Sequence, residues 1–291
     1  MAGPTFVTLP RRLARSLTLS GLAAMGRLTG LEANLKRPRI HFLYLHFVPG
    51  AEEEQFRRLL RVLAKDHRFI GYSDAVARVY SGAIDRPYVT FSVDDGVRNG
   101  LRLAEILDEF GAKACFFVCD SIPDLKDPAA IEAFCRTELE IPPTDFLSWD
   151  DMEALLGSGH EIGNHSARHR TLSDLSLDEL EDDIAGGLER LRSHFSDTVR
   201  HFAWPRGRFF HMSADAAAVV FRSGHSSCAS AERGCHVSKP VSRESLCIRR
   251  EHIISRWPLS HSMYFIARSA ASADETSNRW PESLVPRHAH R

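Results

Sequence analysis

Tyr88-Val89-Thr90-Phe91-Ser92-Val93-Asp94-Asp95-Gly96 is an apolar, partly β-branched run closed by two carboxylates and a glycine. It reads as a buried strand that ends in a turn. A helical spacing follows from Leu101 to Phe110 and stops at Gly111. Neighbouring side chains on a regular strand point to opposite faces, so Asp94 and Asp95 share a site only where the strand ends and turns. Gly96 supplies that turn.

The same strand-then-helix rhythm extends outward in both directions. Upstream, Ile40 to Val48 reads as a buried strand ended by Pro49-Gly50, and Gln55 to Ala64 and Ser73 to Tyr80 read as helices. Downstream come a strand over Ala114 to Val118, a helix over Ala129 to Phe134 and a helix opened by Ser148. A strand at His160 to Gly163 follows, then a capping box at Ser176-Leu177-Asp178-Glu179 before a helix to Phe195. A strand at His201 to Trp204, a helix at Ser213 to Arg222, a short strand near Leu246 to Arg249 and a helix from Leu259 to Ala270 complete the pattern. Such alternation predicts parallel strands with crossover helices, in an open doubly wound sheet or a barrel. No Gly-x-Gly-x-x-Gly and no phosphate loop occur, so nucleotide binding has no local support.

Composition narrows the function classes. The chain has 291 residues and a net charge of -1, which gives no electrostatic case for nucleic acid. No stretch reaches the ~20 apolar residues needed to cross a bilayer. Six cysteines without a C-x-x-C favour free thiols in a reduced, cytoplasmic setting, with membrane association or secretion as alternatives. Arg11, Arg12 and Arg15 precede an apolar run from Leu17 to Gly26. Arg27 interrupts it and no A-x-A site follows, so residues 1–39 read as a basic, weakly amphipathic segment, disordered or in peripheral contact with a membrane. Residues 40–271 form the expected domain, and the polar stretch 272–291 a disordered tail.

His165-Ser166-Ala167-Arg168-His169 supplies an H-x-x-x-H spacing after another strand. The two imidazoles share a face if helical and also converge from a tight loop. Three protein ligands and an open position make a catalytic zinc site, and Asp95, His165 and His169 would supply them. The other carboxylate, Asp94, then stands free to take a proton from water.

These segments resemble the polysaccharide deacetylase family, also called the NodB-homology domain or carbohydrate esterase family four. Thr90 to Gly96 resembles its first motif, Lys113 to Val118 its following strand, and Gly159 to His169 its second motif with the lead-in. Phe202-Ala203-Trp204-Pro205-Arg206-Gly207 resembles the F-A-Y-P-Y-G form of the third. The resemblance implies a distorted (β/α)7 barrel and a divalent metal, usually zinc, with cobalt, nickel or manganese as alternatives. It implies hydrolysis of an N- or O-acetyl group on a sugar or glycan, with Asp94 as general base and Asp95, His165 and His169 as metal ligands. Ala203 stands where the commoner third motif has arginine, so nothing there orients the base by a salt bridge. Arg206 replaces an aromatic residue; its backbone N–H can serve an oxyanion hole, and its guanidinium can pair with Asp94, with an anionic substrate group or with solvent.

The family's acid histidine has its equivalent at His252 in Leu246 to Ile253, with a packed structural role as the competing reading. His46 reads as structural. Cys228, Cys235 and His236 are too loosely spaced for a second metal site. Trp149 and Trp204 are sugar-stacking walls or buried core. A deformylase or non-sugar amidase would use the same site, and a carbohydrate-binding protein that has lost catalysis would keep the fold.

Overall fold

In a computed structural model, residues 9–273 and 279–285 are described. The rest of the expected tail and the first eight residues lie outside them. Nine strands are found among the described residues: β1 Arg39–Leu45, β2 Arg68–Phe69, β3 Pro87–Val93, β4 Ala114–Val118, β5 Glu161–Asn164, β6 His201–Ala203, β7 Ser227–Ala229, β8 Cys247–Ile248 and β9 Glu251–His252. They pair in the order β8-β7-β6-β5-β4-β3-β1-β9, with β2 added on β3. Every pairing is parallel, as the strand–helix alternation requires.

All seven residues of β1 are buried, the signature of a parallel strand covered on both sides. Successive side chains divide between two apolar clusters. Ile40, Phe42, Cys115, Phe117, Ala203 and Ile248 belong to one, while Leu43, Leu45, Phe91, Phe116 and Val118 meet helix residues such as Leu59, Leu103 and Met152 in the other. The sheet thus curls around an inner core and carries an outer layer, the distorted (β/α)7 barrel expected from the sequence. Strand β8 pairs with β7 and β9 with β1, and only Arg249 and Arg250 separate them. The short stretch Cys247–His252 therefore bridges the two ends of the sheet.

The helices are α1 Leu9–Leu28, α2 Glu53–Leu63, α3 Tyr72–Ser81, α4 Gly100–Asp108, α5 Pro128–Phe134, α6 Trp149–Gly157, α7 Leu177–Leu180, α8 Gly187–Phe195, α9 Ala214–Arg222 and α10 Leu259–Ser272. The capping box at Ser176 forms, with Glu179 Oε2 accepting from Ser176 N at 2.9 Å. The single helix expected from there to Phe195 is interrupted by a wider π-type turn at Glu181–Gly186.

Three features depart from the sequence expectations. The basic segment contains α1, which packs on α10, with Gly26 against Tyr264 and Ala23 buried. Strands β2, β7 and β9 were not foreseen. Part of the stretch read as a polar tail is packed: Arg279 bridges to Leu246, and Trp280 stacks on Trp204 with ring centroids 5.5 Å apart. Of the large apolar residues in that stretch, Trp280 and Leu284 are buried and Val285 is exposed.

Candidate metal centre and catalytic site

The chemistry-bearing side chains gather at the C-terminal ends of the strands, where a barrel's connecting loops meet. Asp94 directly follows β3 and its amide donates to the Leu45 carbonyl at 2.9 Å. The turn begins one residue earlier than expected: Asp95 itself is left-handed (φ 72°), followed by Gly96 (φ 63°). A Cβ at Gly96 would lie 2.4 Å from Ile122 Cδ1, so both space and conformation require glycine there. This early reversal lets two adjacent carboxylates face one site.

His165 directly follows β5, and the histidine pair converges from a loop, not from a helix. Ser166 (φ 66°) and His169 (φ 58°) are both left-handed, which folds the loop back on itself. His165 Nε2 and His169 Nε2 each lie 3.3 Å from Asp95 Oδ1. The ligand atoms of the three residues lie within 4.8 Å of one another, and all three side chains are buried. Each imidazole is oriented from behind. His165 Nδ1 donates to the Ala203 carbonyl at 2.7 Å and His169 Nδ1 to the Glu138 carbonyl at 3.1 Å. Because a carbonyl only accepts, each Nδ1 carries a proton, and Nε2 is the atom that each ring turns toward Asp95. Two imidazole nitrogens and a carboxylate, preset in this way, fit a divalent metal.

Two π-type turns support this loop. In Cys135–Leu139 it is Glu138 whose carbonyl receives His169. In Glu181–Gly186, the Asp183 carbonyl accepts from Ala167 N at 2.9 Å and the Ile184 carbonyl from Asn164 Nδ2 at 3.0 Å. Such turns recur where a helix must offer a backbone group sideways.

Asp94 is 3 % exposed and is held by a residue the sequence reading missed. Arg250, fully buried at the seam between β8 and β9, grips it in a two-pronged pair, Nη1 to Oδ1 and Nη2 to Oδ2, both at 2.8 Å. Arg250 also donates to Ser92 Oγ at 3.1 Å and to the Ser230 carbonyl at 2.7 Å, and its guanidinium lies over the Tyr44 ring. The orienting arginine absent from the third motif is therefore supplied from another strand. Burial alone would raise the Asp94 carboxyl; the charges of Arg250 and His165 outweigh it and hold the group below the usual carboxylate range. Burial is likewise overcome at Asp95, by His46, His165 and His169, which keep it well below that range.

The polysaccharide deacetylase family model matches residues 81–221, which span the first three of these motifs. Over these residues the chain is similar to that family. Among curated proteins none matches the sequence. The fold of the chain is similar to that of the deacetylase PplD of Streptococcus pyogenes in complex with acetate (14% identity, TM-score 0.63, covering 79% of this chain and 99% of that one). It is similar also to IcaB from Ammonifex degensii (17%, 0.60, 79% and 98%). A third is the de-N-acetylase from Aggregatibacter actinomycetemcomitans (15%, 0.63, 78% and 99%).

Around the candidate metal cluster, the fold rearranges several expected roles. His46, read as structural, lines the same cavity as Asp94 and Asp95, with Nε2 3.9 Å from Asp95 Oδ2. His252 is one position removed: it lines a neighbouring groove, stacks on Tyr44 with centroids 4.7 Å apart and meets His46 edge-on at 5.1 Å. Burial, with His46 and Arg233, pushes His252 down to about 3, so it is neutral at physiological pH. Arg206 does not pair with Asp94. It is left-handed (φ 60°), and it reaches Glu140 Oε1 at 2.9 Å and the Glu138 carbonyl at 3.5 Å across the cavity mouth. Trp204 has no exposed face to offer a sugar; Trp280 covers it and its Nε1 donates to the Arg208 carbonyl. Trp149 stacks on His194 at 3.7 Å, outside the cavity. The six cysteines are all buried free thiols. Among the described residues no second metal cluster forms at Cys228, Cys235 and His236.

Proposed function

We propose that the protein is a metal-dependent hydrolase that removes an acetyl group, N-linked in the first instance, from a sugar or glycan. The observation that carries this reading is the Asp95, His165 and His169 cluster beside a second buried carboxylate, Asp94, fixed by Arg250. Asp95, His165 and His169 would hold the metal. When bound, a divalent metal, zinc by preference, supplies Lewis acidity toward a carbonyl oxygen and makes water more acidic.

The chain's own groups do the rest. Asp94 receives the proton of the attacking water, and Arg250 fixes both carboxylate oxygens so that the lone pairs face the site. The backbone N–H of Arg206, displayed by its left-handed turn, donates to the developing oxyanion. His46, which lines the cavity, is placed to give a proton to the departing sugar amine, whereas His252 lines the neighbouring groove. The cavity of ≈ 200 Å³ lies below the ~300 Å³ at which pockets enclose a drug-sized ligand. Only the acetylated end of a substrate enters, and the remainder of the glycan lies along the rim formed by Glu140 and Arg206.

Acetate release from a panel of N-acetylated oligosaccharides, with and without added zinc, tests the reading. Zinc-dependent release on at least one of them is expected. A metal-loaded protein that releases acetate from none, yet binds the oligosaccharides, would replace hydrolysis by carbohydrate binding.

A further inference from the structure

Helix α1 has two apolar faces, and the barrel uses one. Ala23 is buried, Gly26 closes on Leu31 and Tyr264, Ser20 Oγ lies 3.0 Å from His261 Nε2, and the Arg15 guanidinium lies over Trp257. These contacts advance together along both helices, so α1 runs parallel to α10 down the flank of the barrel. On the outer side, Leu13, Leu17, Ala24 and Leu28 follow one another at spacings of four, seven and four, a single stripe. Met25 lies beside it. Leu13 is 58% exposed, Leu17 73%, Met25 60% and Leu28 89%. A stripe of large apolar side chains left open to water marks an interaction surface.

Charge indicates what covers it. Residues 1–39 hold seven arginines and lysines against one acid, Glu32. The rest of the chain is acidic, with 37 aspartates and glutamates against 30 lysines and arginines. No acidic residue occurs in α1, and Arg27, Lys36 and Arg37 are exposed at and beyond its C-terminal end. We propose that the outer face of α1 seats the protein on an anionic lipid surface, with the leucines in the acyl boundary and the cations at the headgroups. A second copy of the chain is the poorer occupant, because a two-fold pairing of α1 with α1 would set the two basic segments against each other. Arg15 and Trp257 tie α1 to the loop after His252, and Arg256 of that loop lines the groove that begins at His46. The groove beside the candidate catalytic cavity therefore sits at one end of the membrane-facing helix.

Co-sedimentation of the full-length protein with phosphatidylcholine vesicles, with and without phosphatidylglycerol, tests this independently of any hydrolysis. Binding should be at least about tenfold tighter to the anionic vesicles and should fall with added salt. Leu17→Asp with Leu28→Asp should lose about tenfold or more in binding while keeping the circular dichroism spectrum and the melting temperature; Leu17→Ser with Leu28→Ser serves the same purpose if the aspartates disturb folding. Equal partition of variant and parent, no binding to anionic vesicles, or a concentration-dependent dimer abolished by the same substitutions would overturn the proposal.

Discussion

A carboxylate as enclosed as Asp94 stays charged only beside an equally enclosed cation, and Arg250 meets that requirement with two hydrogen bonds. Breaking a buried pair on one side leaves an uncompensated charge, so Arg250→Met is expected to cost about 3–5 kcal/mol in urea unfolding. Adding Asp94→Asn to that variant should recover much of the loss, which a defect of packing alone would not allow. On its own, Asp94→Asn should lower acetate release about 10²–10⁴-fold while metal bound per chain stays constant by elemental analysis. Unchanged release would remove Asp94 from the base role. Asp94, Asp95, His165 and His169 were legible because each stands at a strand end within a run of recognisable local pattern. Arg250 was not legible, because its partner lies 156 residues away and nothing local announces the pairing. His46 and His252 show the same limit: both sit near strand ends, and it is the pairing of β1 with β9, which stacks His252 on Tyr44, that leaves His46 beside the cavity.

Elements with a strong local pattern matched their expected positions, and those made by their neighbours did not. Strand β7 comes from Ser226-Ser227-Cys228-Ala229-Ser230, small residues with no β-branched or aromatic signal. It is extended because β6 and β8 flank it, with Cys228 in register with Phe202 on one side and Cys247 on the other. The π-type turns were equally silent, since a widened turn leaves helical spacing almost intact. The seam strand β9 adds a pH dependence. Burial raises the Glu251 carboxyl to about 7, against the pull of Arg233 and Ser269. An unfolded glutamate titrates near 4.3. Between about pH 4.3 and 7 the folded chain holds a proton that the unfolded chain has released, so stability falls as pH rises through that window. This contribution is whole below about pH 4.3 and spent above about 7. Denaturant midpoints measured across the window should decline for the parent and flatten for Glu251→Gln; parallel declines would assign the effect elsewhere.

At the scale of the molecule, the barrel was readable from the alternation of strands and helices, but the two ends of the chain were not. Composition describes residues 1–39 as basic and 272–291 as polar, and it is single apolar side chains, Ala23 on α10 and Trp280 on Trp204, that fasten parts of them to the body. The metal should be a structural asset as well as a chemical one, because its ligands come from two separate strand ends. At a hundred times its dissociation constant a bound ion contributes about 2.7 kcal/mol. Chelation is expected to lower the melting temperature by roughly 5–10 °C and zinc to restore it, read by scanning calorimetry. No shift in either direction would separate the cluster from metal binding. The seam at Cys247–His252 orders events during synthesis. A chain emerging from the ribosome presents Asp95, His165 and His169 first and Arg250 last, so on the proposed function hydrolytic competence would arrive only with barrel closure.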